Sequence, residues 1–217
     1  MKPRPSVFIN DLENYIDQNL VKRPNPVFLE MEGFAKEKNI PIVSAATGAV
    51  LHHLVQMTDP NQILELGTGL GYSTLWMHLA KPNVKIITVD RNAVQANAID
   101  LYSEKMKLVS PPIERVTSLV MEYLDSKHDF SHTDFYFVDC DKIMYPDVYD
   151  VLFRRAKPGA VLVYDNVLWH GRILNPDPQK PSDLAVQSLW NKVKSSNLPY
   201  TLFPCGDGLL FFRKDKK

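Results

Sequence analysis

Apolar positions change their spacing near residue 60. Before it, Val7, Phe8, Leu12, Tyr15, Ile16 and Leu20 recur at helical intervals, and Val27 to Lys38 and Ser44 to Met57 do the same, with Pro24, Pro26 and Pro41 as punctuation. After it, short apolar runs alternate with amphipathic stretches. The runs are Gln62 to Leu66, Val84 to Val89, Ile113 to Val116, Asp134 to Val138 and Ala160 to Tyr164. Near-continuous apolar segments are what strands look like when crossover helices cover both faces of a sheet. The pattern therefore predicts an α/β fold with a mostly parallel, doubly wound sheet. At the end, Tyr200 to Phe203 and Leu209 to Arg213 flank Cys205-Gly206-Asp207-Gly208 without an intervening helix, which predicts an antiparallel hairpin at the sheet edge. The tail from Arg213 to Lys217 is expected to fray.

With 217 residues and 45% hydrophobic content, the chain can bury one sizeable core, and a single domain is expected over residues 1–217. Residues 1–58 would form a helical segment and 59–217 the α/β core. Lys plus Arg number 25 and Asp plus Glu 25, so no global field draws the chain to nucleic acid or an anionic membrane. Two cysteines, Cys140 and Cys205, make no disulfide scaffold, and no Cys/His spacing suits zinc. The N-terminus lacks the apolar stretch of a signal peptide and no later run reaches membrane-spanning length. A cytoplasmic, membrane-free protein is expected.

Ile63-Leu64-Glu65-Leu66-Gly67-Thr68-Gly69-Leu70-Gly71-Tyr72-Ser73 runs from an apolar strand through a glycine-rich turn into a helix. Glycine lets the backbone turn tightly and a ligand approach the main chain, with the first helical N–H groups aimed into the crevice. A dinucleotide fingerprint wants glycine where this chain has Tyr72, which weakens a nicotinamide reading. Asp90, closing the next strand, stands where such folds hold ribose hydroxyls. The fourth predicted strand ends in Asp139 and the fifth in Asp165-Asn166, neighbouring carboxyl ends in this topology. Three oxygen donors without thiolate or imidazole suit a hard divalent cation, magnesium first, with manganese or calcium as alternatives. Lys142 can reach the same point and serve as a general base. Singly, each has a bland reading: Asp165-Asn166 as a turn, Lys142 as a solvated charge.

These stretches resemble the cation-dependent class I O-methyltransferases, typified by the caffeoyl-CoA and catechol O-methyltransferases and their bacterial relatives. The resemblance covers roughly residues 28 to 213: ELGTGLGYSTL (65–75) is similar to the S-adenosylmethionine motif, VDCDKIMYP (138–146) to the metal and lysine motif, DNVLWHG (165–171) to the second metal motif and FPCGDGLLFF (203–212) to the C-terminal hairpin. It implies a Rossmann-like seven-stranded sheet and S-adenosylmethionine near Val43, Glu65, Gly67, Thr68, Gly71, Tyr72, Ser73, Asp90, Val120 and Asp139. It also implies a divalent cation on Asp139, Asp165 and Asn166, Lys142 as the catalytic lysine, and Lys142, Asn166 and Trp169 at the methyl acceptor. The acceptor would be a catechol-type aromatic and the assembly a homodimer built with the N-terminal helices. Where the family usually carries Gly-Asp-Ala after the third strand, this chain has Ser118-Leu119-Val120, so a polar adenine contact is expected to give way to apolar stacking.

Two other functions compete: methylation of a hydroxylated tRNA base, which needs a basic stripe this neutral chain does not advertise, and a cofactor-binding protein without turnover. Trp169 is read as an acceptor wall, while His170 divides between pocket and solvent. His52 and His53 are read as structural, Cys140 as a small buried residue, Tyr145 as packing or pocket-shaping, and Met31, Met57, Met77 and Met121 as core.

Overall fold

The computed structural model describes residues 12–92, 97–109, 111–126, 129–175 and 177–215. Val7 and Phe8 of the expected first helix, and Lys216 and Lys217 of the tail, lie outside them.

Seven strands form one sheet: β1 (Gln62–Leu66), β2 (Lys85–Asp90), β3 (Ile113–Thr117), β4 (Phe135–Val138), β5 (Val161–Tyr164), β6 (Tyr200–Phe203) and β7 (Leu209–Arg213). Their order is β3-β2-β1-β4-β5-β7-β6. The first five pair in parallel, with Leu66 opposite both Val89 and Val138, and Val138 opposite Tyr164. β7 runs antiparallel to β5 and β6, as the missing crossover predicts. The chain winds outward from β1 in one direction and from β4 in the other, so the order reverses between them and leaves a crevice beyond their carboxyl ends.

The helices are α1 (Leu12–Tyr15), which continues into a π-helical turn Ile16–Leu20, then α2 (Val27–Lys38), α3 (Ala45–Thr58), α4 (Tyr72–Ala80), α5 (Ala98–Lys105), α6 (Val120–Asp125), α7 (Tyr145–Arg155) and α8 (Pro181–Ser195). Their ends follow local chemistry. The Ser44 side chain accepts from the Thr47 amide at the start of α3, and α2 and α3 close on left-handed Asn39 and Asp59. Pleating sends alternate strand residues to opposite layers. Ile63, Phe135, Phe137, Val161 and Val163 pack with Phe28, Met31, Leu51 and Trp76 on one face. Leu64, Leu66, Tyr136, Val138, Leu162 and Tyr164 pack with Val148, Leu152, Val186 and Leu189 on the other.

Three details depart from the sequence reading. β3 is the sheet edge and only half-buried, because its apolar run has a neighbour on one side alone. Met57 is 79% exposed near the end of α3, outside the core. Tyr15 and Leu20 also stand exposed, although their spacing is helical. Among the described residues, no helix is long and apolar enough to cross a membrane.

Candidate active site at the strand carboxyl ends

β1 leaves the sheet at Gly67, whose amide bonds to the Val89 carbonyl at 2.8 Å, while the Asp139 amide bonds to Leu66 at the same distance. The β1 exit is thus tied to the end of β2, and the β4 exit to the end of β1. Gly67 has φ +104°, and a Cβ there would meet the Asp139 carbonyl oxygen at 2.3 Å, so only glycine fits. The turn then wraps the Asp90 carboxylate, whose Oδ2 accepts from the amides of Thr68 (2.9 Å) and Gly69 (3.1 Å) and whose Oδ1 accepts from Asn92 (2.8 Å).

Beneath the turn, Glu65 points into the α3–α4 layer and is wholly buried. Its carboxylate accepts from Ser73 Oγ at 2.6 Å, from Thr88 Oγ1 at 2.6 Å and from Thr74 Oγ1. The Thr68 and Thr88 hydroxyls share a further bond. Burial pushes the Glu65 carboxyl up to about 7, against the pull of these hydroxyls. Tyr72, at the head of α4, donates its hydroxyl to Glu32 at 2.7 Å, and Glu32 is gripped by both arms of Arg23 at 2.9 and 3.0 Å. Arg23 also reaches the Asp17 and Val21 carbonyls, binding the N-terminal segment to the glycine-rich turn.

On the other side of the crevice, Lys142 heads a short 3-10 turn, Lys142–Met144, capped by Asp141 Oδ1 accepting from the Ile143 amide. Its buried ammonium lies 2.7 Å from Asp139 Oδ1 and 3.3 Å from the Cys140 carbonyl. Asp165 follows β5, with its amide bonded to Val138. Tyr145 stands below and donates its hydroxyl to the Asp165 carbonyl (2.8 Å) and the Val138 carbonyl (3.2 Å), joining the two strand ends. Burial pushes the Cys140 thiol up to about 12, so it is no nucleophile at neutral pH.

Among the described residues, no three His, Cys, Asp or Glu side chains cluster as a metal site; the candidate centre is two carboxylates and the amide of Asn166. Its chemistry suits a hard cation. Asp165 is buried, its Oδ1 has no hydrogen-bond partner, and burial followed by the nearby Asp139 charge raises its pKa. An ionised carboxylate held dry beside a second one needs a cation or a proton. Lys142 supplies a positive charge to Asp139 and leaves the Asp165 oxygen unmatched.

Asn166, Trp169, His170 and Gly171 all have positive φ, between +50° and +76°, which bends the loop after β5 back over the crevice. His170 donates its amide to Asp207 Oδ1 at 2.6 Å, and its ring faces Asp207 Oδ2 at 3.3 Å. The loop is also tied to the β6–β7 turn by Leu168 N to Asp207 O and Val167 N to Gly208 O.

A cavity of about 820 Å3 joins these parts. That is within the range of small-molecule sites and has room for more than one ligand. Val43, Gly67, Thr68, Tyr72, Ser73, Asp90, Val120, Asp139, Lys142, Asp165, Asn166 and Trp169 all line it, as does His170. Glu65 and Gly71 do not. Glu65 lies under the floor and acts through Ser73 and Thr88, while Gly71 makes room for Ile99, whose Cγ1 would be 2.1 Å from an added Cβ. Ser118 and Leu119 border the cavity too, with the Ser118 hydroxyl donating to its neighbour's carbonyl rather than facing the space. His52 is structural, its Nδ1 3.1 Å from the Trp76 carbonyl. Sequence reasoning missed Arg23 with Glu32, Asp207 and Asp183. Only Pro181-Ser182-Asp183, a helix-start pattern, carried any local signal.

This seven-stranded sheet, with an antiparallel C-terminal pair and a site at the β1/β4 reversal, is the Rossmann-like methyltransferase architecture. The profile of the O-methyltransferase family matches residues 27–215, and the chain belongs to that family. It is similar to a catechol O-methyltransferase from Niastella koreensis, 29% identical over 180 residues that cover 81% of this chain and 77% of the relative. It is also similar to a caffeoyl-CoA O-methyltransferase from Stellaria longipes, 28% identical over 187 residues, covering 79% and 75%. The crystal structure of an O-methyltransferase from Bacillus cereus in complex with SAH superimposes with a TM-score of 0.81 at 22% identity, over 94% of this chain and 97% of that one.

Proposed function

We propose that the protein moves a methyl group from S-adenosylmethionine to one hydroxyl of a small catechol-type molecule. The observation that carries this reading is Lys142 Nζ held 2.7 Å from Asp139 Oδ1, beside the unpartnered Asp165 Oδ1, in a cavity that reaches the glycine-rich turn. The catechol and caffeoyl-CoA relatives support the acceptor class. Cofactor-bound neighbours of the same fold support the donor.

The donor is placed along the Gly67–Ser73 turn, its ribose toward Asp90 and its ring against Leu119 and Val120. The Thr68 and Gly69 amides now on Asp90 orient its carboxylate as an acceptor for hydroxyls. Asp139, Asp165 and Asn166 would hold a divalent cation, which when bound supplies Lewis acidity toward the acceptor oxygens. Lys142 first gives a proton to solvent and, as the neutral amine, takes at Nζ the proton of the hydroxyl to be methylated. The acceptor O–CH3 bond forms as the S–CH3 bond of the sulfonium breaks, so an anion and a cation give two neutral products. Trp169 and Val43 keep water from a step whose charges disappear, and the wall residues align oxygen, methyl and sulfur. The resemblance further suggests a homodimer, which light scattering tests.

The experiment is purified protein with S-adenosylmethionine and a panel of catechols, caffeoyl esters and bulk tRNA, with magnesium or with chelator, read by product mass. Magnesium-dependent methylation of a catechol is the expected result. Product on tRNA alone would move the acceptor to RNA, and no product with intact donor binding would overturn the reading.

A further inference from the structure

Trp169 and His170 both sit in the left-handed region that bulky side chains avoid, at φ +50° and +53°. Such a conformation persists only where surrounding contacts impose it. For His170 the contact is Asp207. For Trp169 it comes from an element distant in the fold's plan: the indole Nε1–H donates to Asp183 Oδ1 at 2.7 Å. Asp183 is buried, 6% exposed, in the first turn of α8, with its amide bonded to the Lys180 carbonyl. Arg172 Nη1 is 3.3 Å from the same carboxylate oxygen, and its guanidinium lies over the Trp169 ring, 4.4 Å from the centroid. Ser182 Oγ is 3.5 Å from that oxygen as well. The indole is thus fixed at its edge by a carboxylate and on its face by a cation, while it lines the cavity.

We infer that Asp183 is a positioning residue that decides how the acceptor ring lies, because it locks the angle of the Trp169 indole at the acceptor end of the cavity. The inference rests on the catechol reading of that end. A charge-assisted hydrogen bond on a buried, helix-anchored carboxylate sets the ring plane more rigidly than packing alone. Which hydroxyl of an unsymmetrical catechol faces the methyl group depends on how the ring is turned against that plane, on top of the intrinsic difference in acidity between the two. The locked indole therefore selects which oxygen meets the methyl group. Small misplacements at a reacting centre carry large rate effects, so the selection shows in the product ratio.

The test compares wild type with Asp183→Ala and Asp183→Asn on 3,4-dihydroxybenzoate with magnesium and S-adenosylmethionine. It reads the ratio of the two monomethyl products, the acceptor KM, SAH affinity by calorimetry, and the indole N–H resonances. The Trp169 resonance is identified by its loss in Trp169→Phe. D183A is expected to move the Trp169 resonance, change the product ratio at least about threefold and raise the acceptor KM about tenfold, the scale of one lost charge-assisted hydrogen bond. SAH affinity should hold. D183N keeps an acceptor oxygen but loses the charge that holds the indole and Arg172, so it should shift the ratio and KM in the same direction by a smaller factor. This keeps the test available if D183A folds poorly; a D183N identical to wild type in resonance, ratio and KM overturns the charge-assisted lock. A Trp169 resonance that does not move in D183A overturns the contact. A moved resonance with unchanged ratio and KM overturns the positioning role. Wild type that binds SAH and methylates no catechol overturns instead the acceptor reading beneath it.

Discussion

Gly67 and Asp139 are in backbone contact across the β1/β4 junction: a methyl group on Gly67 would lie 2.3 Å from the Asp139 carbonyl oxygen. The donor turn and the Asp139 strand end are therefore one unit, and moving either moves both. Gly67→Ala adds a left-handed backbone cost of about 1–2 kcal/mol to that clash. We expect a loss of at least about 2 kcal/mol in urea unfolding together with loss of SAH binding by calorimetry. An unchanged SAH affinity would contradict the coupling.

Lys142 is buried and aimed by Asp139, so its removal should hurt chemistry before binding. For Lys142→Met we expect kcat to fall about 10²- to 10⁴-fold, the usual range for a lost general base. Donor affinity should change less than about threefold, since no part of the donor turn touches the ammonium. A KM effect with kcat intact would assign Lys142 to acceptor binding instead.

Asp165 keeps an unpartnered carboxylate oxygen in a dry site beside Asp139, an arrangement that costs stability unless a cation or a proton neutralises it. In chelator at neutral pH, Asp165→Asn should therefore melt above wild type, by roughly 2–4 °C if about 1 kcal/mol is relieved. Added magnesium should raise the wild-type Tm and leave the variant unmoved, because only a ligand-competent native state gains from binding. Scanning calorimetry with and without magnesium checks both parts.

Glu65 couples stability to pH. Burial holds its carboxyl at about 7 in the fold against 4.5 in the unfolded chain, so the native state keeps a proton that the unfolded state releases. Its contribution is complete below pH 4.5 and is lost as pH rises toward 7, at up to about 1.4 kcal/mol per pH unit. Glu65→Gln cannot ionise and should flatten the stability profile across that window. Denaturation midpoints at pH 5 and 7 give the comparison; equal slopes in both proteins would refute it.

Strand identity was readable where a run is apolar at every position, as in Phe135 to Val138 and Val161 to Tyr164, because both faces of those strands are covered. The same logic found Ile113 to Val116 as a strand but misjudged its burial, since periodicity does not say which strand closes the edge. Asp139, Asp165 and Asn166 were legible as a group because parallel neighbours bring their ends together by topology alone. Pleating turns Glu65 toward Ser73, Thr74 and Thr88 beneath the cavity lining, a set of partners that no motif spacing announces.

The order of apolar runs and turns in the chain was enough for the α/β class and for the strand-end residues Gly67, Asp90, Asp139, Asp165 and Asn166, because those depend on local periodicity and on the handedness of crossovers, whereas Val43, Val120 and Trp169 followed only from the family resemblance. Only tertiary structure settled which side chains hold the site residues in place. Glu32 on Arg23 and Tyr72, Asp183 on Trp169, and Asp207 on His170 join segments that no spacing rule relates. Such contacts form when packed layers bring distant segments within hydrogen-bonding reach, and their partners are set by the angle at which helices and loops cross the sheet.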